Sequence, residues 1–108
     1  MYIPDKGDIV WLNFEPSAGK EITKRRPAFV ISRKAFNEHT GFVIVAPITS
    51  TVRGIRLEVE LEGIETKGAV LIYQMKSLDF ENREIKLIEK APPVIINKVT
   101  ELAQIITK

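Results

Sequence analysis

The residues of this chain best suited to chemistry are arginines and hydroxyls. Arg25 and Arg26 stand together before Pro27, Thr49, Ser50 and Thr51 follow closely after Pro47, and Arg53 comes just beyond. A guanidinium fork can grip two phosphoryl oxygens at once, and a threonine hydroxyl can donate to the same group. Such a set suits a phosphodiester that carries its own nucleophile. In RNA the ribose 2′-hydroxyl fills that role, leaving the protein to align it, assist proton movement and stabilise charge at phosphorus. Each contact to the developing charge is worth ~3 kcal/mol, by analogy with a single oxyanion donor. Arginine stays charged and carries protons poorly, so Glu21, in the same stretch as Arg25 and Arg26, is the candidate base. The same side chains also have plain structural uses. Arg26 can lie along the mouth of a strand, and Thr49 can bond a neighbouring backbone amide after Pro47.

Other chemistries fare worse. The chain has no cysteine, which removes disulfides, thiolate metal sites and a cysteine nucleophile, and points to the cytoplasm. His39 is the single histidine, and Glu58, Glu60 and Glu62 alternate instead of clustering, so no metal ligand set is expected. The glycines fall into neither phosphate-loop nor dinucleotide spacing, and no cofactor is expected. The N-terminus lacks a basic segment followed by an apolar one, and no apolar run approaches membrane-spanning length. Charge is unevenly placed. Residues 20 to 56 carry eight basic side chains against two acidic ones, a balance of +6, while the remainder sums to −4. A region of that kind suits a phosphate-bearing partner, because neutralising phosphates releases counterions. A solvated charged face is the ordinary alternative.

These residues must be positioned by strands. Residues 8–14, rich in β-branched and aromatic side chains, read as a strand followed by a long loop, roughly Glu15 to Arg26, that carries half of the basic cluster. Residues 27–32 read as a second, buried strand, which places Arg26 where loop meets strand. Arg33 to His39 is a short helix or turn closed by Thr40-Gly41, and residues 42–46 are a third strand that Pro47 is expected to interrupt, freeing residues 48–51. Residues 56–61 alternate polar and apolar, and residues 63–67 form the turn beyond them. Two more strands are expected at 68–73 and 84–89, with 74–79 extended or turned between them. After Pro92-Pro93, Ile95, Val99, Leu102 and Ile106 mark one face of an amphipathic helix. Phe14, Phe29, Phe42 and Trp11 are expected in the core. The sum is one domain over residues 1–108, mainly β with a C-terminal helix, a small and strongly bent SH3-like barrel.

Taken together, Asp8-Ile9-Val10-Trp11-Leu12-Asn13-Phe14-Glu15-Pro16, then Glu21, Arg25-Arg26-Pro27-Ala28-Phe29-Val30-Ile31-Ser32, Pro47-Ile48-Thr49-Ser50 and Arg53-Gly54 resemble the successive signatures of the MazF/PemK toxins. Gln74-Met75-Lys76-Ser77 resembles the family's Gln-x-Lys/Arg-Ser segment, so the likeness spans roughly residues 2 to 106. The resemblance implies a MazF/PemK/CcdB-like barrel that cleaves single-stranded RNA without metal, leaving a 2′,3′-cyclic phosphate and a 5′-hydroxyl. It implies Arg26 and Thr49 as the catalytic pair with Glu21 an acid nearby, and Lys20, Lys24, Arg25, Ser50, Arg53, Gln74 and Lys76 as RNA-binding residues. It also implies a homodimer and a cognate antitoxin whose acidic, flexible tail occupies the basic site. Two positions depart from many relatives: Gly54-Ile55-Arg56 stands for a Gly-Tyr-Pro-like run, and Tyr73 stands for an acid before Gln74. The rival readings are a CcdB-like gyrase poison, whose Trp-containing tail is missing from Ile105-Ile106-Thr107-Lys108, and a non-catalytic RNA-binding module.

Overall fold

The computed structural model describes residues 1–15 and 24–107. The expected loop therefore lies largely outside the described residues, and with it Lys20 and Glu21. Seven strands, β1 (Asp8–Asn13), β2 (Arg25–Val30), β3 (Phe42–Thr49), β4 (Glu58–Glu60), β5 (Ala69–Leu71), β6 (Lys76–Asp79) and β7 (Lys86–Lys90), alternate with two helices, α1 (Lys34–Thr40) and α2 (Pro93–Thr107). A 3-10 turn, Ile72–Gln74, joins β5 to β6. The sheet runs β4-β5-β3-β2-β1-β7, with β6 also paired to β3, and among the described residues every strand pair is antiparallel.

Strand alternation sorts the core into two clusters. Ile9, Phe29, Ala46, Ile48, Val70 and Ile72 pack with Ile95, Val99 and Ala103 of α2. On the other face Val10, Leu12, Phe14, Ala28, Val30, Val43, Val45, Leu78 and Phe80 pack with no helical member. A sheet that buries this second face with its own strands must curl over it, which is the bent architecture expected from the short strands. The sheet is an open barrel, because no ladder joins β4 to β7 among the described residues. Side-chain bonds span part of that gap: Glu89 of β7 accepts from the Thr66 amide at 2.7 Å, the Thr66 hydroxyl at 2.6 Å and the Glu65 amide at 3.3 Å.

Several expectations are corrected. Pro47 does not end its strand, which continues to Thr49. The Ile44 carbonyl accepts from the Ile31 amide, so alternate residues from Ile44 turn their backbone groups towards β2, and Pro47 turns the other way. On that side β6 stops opposite Val45 and β5 starts opposite Ile48, so proline sits where no ladder donor is required. Arg26 lies inside β2 instead of at a loop mouth, because β2 begins at Arg25 and pairs with β1 as far as Asn13. The strands expected at 56–61 and 68–73 shrink to three residues each, and residues 76–79 form a full strand. Trp11 and Phe42 leave the core at 38% and 46% exposure, since Trp11 has only Pro27 and Lys86 opposite it and Phe42 opens its strand. In α2 the buried positions are Ile95, Val99 and Ala103, a spacing of four, which leaves Leu102 at the margin and Ile106 exposed.

Candidate active site

The open end of the sheet gathers the residues singled out by their chemistry. Ala28 and Pro47 form the last pair of the β2–β3 ladder, and Arg26 and Thr49 each lie two residues beyond it on their own strands. Cross-strand neighbours share a face, and alternation from Ala28 and Val45 puts both on the side of the second, helix-free cluster. Leu12 of β1 lies across from Arg26 on its other flank. Arg26 is half-buried and Thr49 is 9% exposed. The Thr49 hydroxyl accepts a bond from the Thr51 amide at 3.2 Å, the local bonding foreseen after Pro47. Its own proton stays available to donate, so the structural and chemical uses of this hydroxyl are compatible.

Thr49 is held from behind by Gly68. It pairs with Ala69, and a Cβ built on Gly68 would lie 2.0 Å from the Thr49 carbonyl oxygen. Gly68 also has φ +120°, a conformation that side-chain-bearing residues rarely adopt. No other residue type brings β5 this close to the end of β3.

The remaining expected binding residues divide between the two faces. Arg25 is adjacent to Arg26 in sequence but on the opposite face of β2, with its guanidinium 5.5 Å from the Trp11 ring and donating to the Glu84 carbonyl at 3.4 Å. Lys24 is exposed at φ +70°, and its carbonyl accepts from the Phe14 amide at 3.1 Å, fixing the bend that enters β2. Ser50 is exposed directly after Thr49. Arg53 is exposed and donates to the Tyr73 hydroxyl at 3.3 Å. Gln74 closes the 3-10 turn beside Tyr73, and Lys76 lies opposite Val45 on the face shared by Thr49.

Three residues escaped the reading of the sequence. Glu58 looked like the wet side of an alternating strand, yet its Oε1 accepts from the Arg53 and Gly54 amides at 3.0 and 3.2 Å. Trp11 looked like core but forms an exposed aromatic surface beneath Arg25. Gly68 looked like an ordinary strand start. Only the Gly before an apolar run, a common sign of close backbone approach, hinted at its part. His39 is exposed on α1, and no three His, Asp or Glu side chains gather into a metal-binding group among the described residues.

Fold and sequence together identify the family. The sequence matches the PemK-like, MazF-like toxins of type II toxin-antitoxin systems over residues 5–107, and the chain belongs to that family. It is 39% identical over 82 residues to the endoribonuclease toxin MazF of Escherichia coli strain K12, covering 76% of this chain and 74% of that one. The fold superposes on the crystal structure of MazF from Deinococcus radiodurans with a TM-score of 0.94 at 37% identity, covering 99% of this chain and 98% of the other. It superposes on a MazE-MazF structure from the same organism with a TM-score of 0.87 at 37% identity, over 99% and 97% of the two chains.

Proposed function

We propose that this toxin is a metal-independent, sequence-specific endoribonuclease that cuts single-stranded RNA in the cytoplasm and thereby arrests translation and growth. The observation that carries the reading is the β2–β3 ladder, beyond whose last pair, Ala28 and Pro47, Arg26 and Thr49 each follow two residues on along their own strands. The 2′-oxygen attacks the adjacent phosphorus, a 2′-O–P bond forms, and the P–O5′ bond breaks. Arg26 grips the non-bridging oxygens and the Thr49 hydroxyl donates to them as negative charge accumulates. Glu21, outside the described residues, takes the 2′-hydroxyl proton, and a proton reaches the departing 5′-oxygen. The products are a 2′,3′-cyclic phosphate and a 5′-hydroxyl. Arginine and threonine supply all the charge stabilisation this route requires, so no metal enters it.

Lys20, Lys24, Arg25, Ser50, Arg53, Gln74 and Lys76 hold the strand on either side of the cut in this reading. A homodimer is the active unit, and an antitoxin with an acidic, flexible tail silences it by occupying the same basic surface. The relatives named as endoribonucleases favour cutting over gyrase poisoning or simple RNA binding.

The test is to incubate the purified protein with a long unstructured RNA in EDTA and map the ends. Discrete cuts bearing cyclic phosphate are expected. Intact RNA at high protein concentration, with growth still arrested in cells, would return the argument to a protein-binding toxin.

A further inference from the structure

We propose that Glu58 is a positioning residue that fixes Arg53 against Tyr73, and that this guanidinium–phenol pair is a subsite for one nucleotide flanking the cut. The inference rests on the reading of this chain as a protein that takes up single-stranded RNA.

Residues 50–56 are all exposed and unpaired with any strand, so this segment needs internal bonds to hold one shape. The bonds converge on one residue. Glu58 Oε1 accepts from the amides of Arg53 and Gly54, at 3.0 and 3.2 Å, and the Glu58 amide donates to the Ile55 carbonyl at 3.2 Å. Gly54 sits at φ +72°, the left-handed turn that lets consecutive amides point at a single oxygen. Glu58 is itself anchored: it belongs to β4 and stands opposite Leu71, two residues before Tyr73. The Ile72 amide adds a bond to the Leu57 carbonyl at 3.0 Å, tying the loop's end to the 3-10 turn that carries Tyr73.

The product of this bracing is a pair of side chains suited to a nucleotide. Arg53 reaches the Tyr73 hydroxyl with one guanidinium nitrogen at 3.3 Å, which leaves its other donors for phosphate oxygens. Tyr73 is 39% exposed, which leaves room for a base to stack on it. Arg53 lies beyond Ser50 on the loop that starts at Thr49, and Tyr73 is brought beside it by the 3-10 turn, so the pair meets a nucleotide next to the one being cut. A second observation separates this from mere loop closure. Glu58 Oε2 is buried with no hydrogen-bond partner among the described residues, a penalty carried by the charged form. The carboxylate is explained by the firmer hold its charge gives on the two amides that set Arg53.

The test uses a single-stranded oligonucleotide with deoxyribose at every position, which lacks the attacking hydroxyl, followed by fluorescence anisotropy, alongside cleavage of the matching RNA. Arg53→Ala and Glu58→Ala are each expected to weaken binding and raise KM by about tenfold, the worth of one charge-assisted contact, with kcat within about twofold. Because Glu58 acts through Arg53, the double variant is expected to bind no more weakly than Arg53→Ala. Glu58→Gln, which keeps the acceptor oxygen but loses the charge, is expected to recover only part of the binding, to within about threefold of wild type. Additive losses, failure of Glu58→Gln to rescue, or a fall in kcat at constant KM would overturn the assignment. If Glu58→Ala melts below the assay temperature, Tyr73→Phe replaces it, with about a threefold loss expected and unchanged binding counting against the subsite. A wild-type protein that binds the deoxy-oligonucleotide yet leaves RNA intact would sink the nuclease reading and leave the subsite standing. Cleaved RNA with independent Arg53 and Glu58 effects would do the reverse.

Discussion

The two ends of the sheet are built from similar residue types and use them in opposite ways. At the end where β1 begins, polar groups are matched to one another. Tyr2 donates to Asp8, Lys90 pairs with Asp8 at 3.3 Å, and Asp5 accepts from the Lys6 and Lys34 amides at 2.8 and 3.0 Å. Burial, together with the bond to Asp8 and the charges of Asp8 and Asp5, pushes the Tyr2 phenol far above its ordinary range. Nearby, fully buried Asn37 donates to the carbonyls of Pro4 and Ser32 and accepts from the Ser32 hydroxyl. At the opposite end, Arg25 rests on an aromatic ring and Arg53 on a phenol, and neither meets a carboxylate among the described residues. Charges matched within the fold stabilise it, whereas cations left facing rings and hydroxyls are available to a ligand. In the proposed reading the first end is a fastening and the second the binding surface.

The sharpest way to break this contrast is to remove Arg26. Arg26→Ala is expected to lower kcat by about 10²- to 10³-fold, like the loss of one oxyanion donor, while thermal melting stays within a few degrees of wild type. Thr49→Ala follows the same pattern. Unchanged cleavage in both variants would mean that the open end is not catalytic. Gly68→Ala tests whether the site depends on the approach of β5 to β3. The added carbon meets the Thr49 carbonyl at 2.0 Å at a backbone angle that already strains alanine, so about 3 kcal/mol of stability should be lost along with most activity. Retained activity would show that Thr49 does not need that backstop.

A substitution at the fastening end should do the converse. Asn37→Ala leaves buried groups of Pro4 and Ser32 without partners and should cost about 2 kcal/mol of stability. Cleavage per folded molecule should hold, measured below the melting transition. A loss of kcat greater than the loss of folded protein would blur the division between the ends.

How far the sequence disclosed this division follows from the physics of each feature. Strand identities and the C-terminal helix were legible because β-branched runs and a four-three-four apolar step report directly on local geometry. Arg26 and Thr49 stood out by residue type, but their shared place at the end of the β2–β3 ladder did not, since it depends on how β2 registers against β3. Pro47 misled because its cost depends on which neighbour the missing amide would face, a tertiary fact. Trp11 misled because apolar type says nothing of whether Pro27 and Lys86 opposite it are large enough to cover it. Glu58 was hidden for a similar reason. Alternation marks a residue as outward-facing, while its bonds to Arg53 and Gly54 arise only when the loop folds back.

The smallest expected effect concerns the place where the sheet's two edges meet without a ladder. Burial works to raise the Glu89 carboxyl, but the bonds from the Thr66 hydroxyl and the Thr66 and Glu65 amides, with Lys67 nearby, outweigh it and hold the group below its ordinary 4.5. A carboxylate with a lowered pKa in the folded state binds fewer protons there than in the unfolded chain. Its stabilisation is therefore complete above the unfolded value and disappears as pH falls through the folded one. Wild type should lose stability progressively once pH drops below about 4.5, and part of that loss belongs to Glu89. In Glu89→Gln the amide cannot titrate, so the variant should be less stable at neutral pH by about 1 kcal/mol or less, given how much solvent reaches the group. The gap from wild type should narrow as the solution is acidified, read from urea midpoints at pH 7 and pH 3. Glu89 sits opposite Ile9 and Arg26 opposite Leu12, so β1 and three residues along it separate the two, and kcat at neutral pH should be untouched. A gap that widens in acid would mean that Glu89 is not the ionised clasp between β7 and the turn before β5.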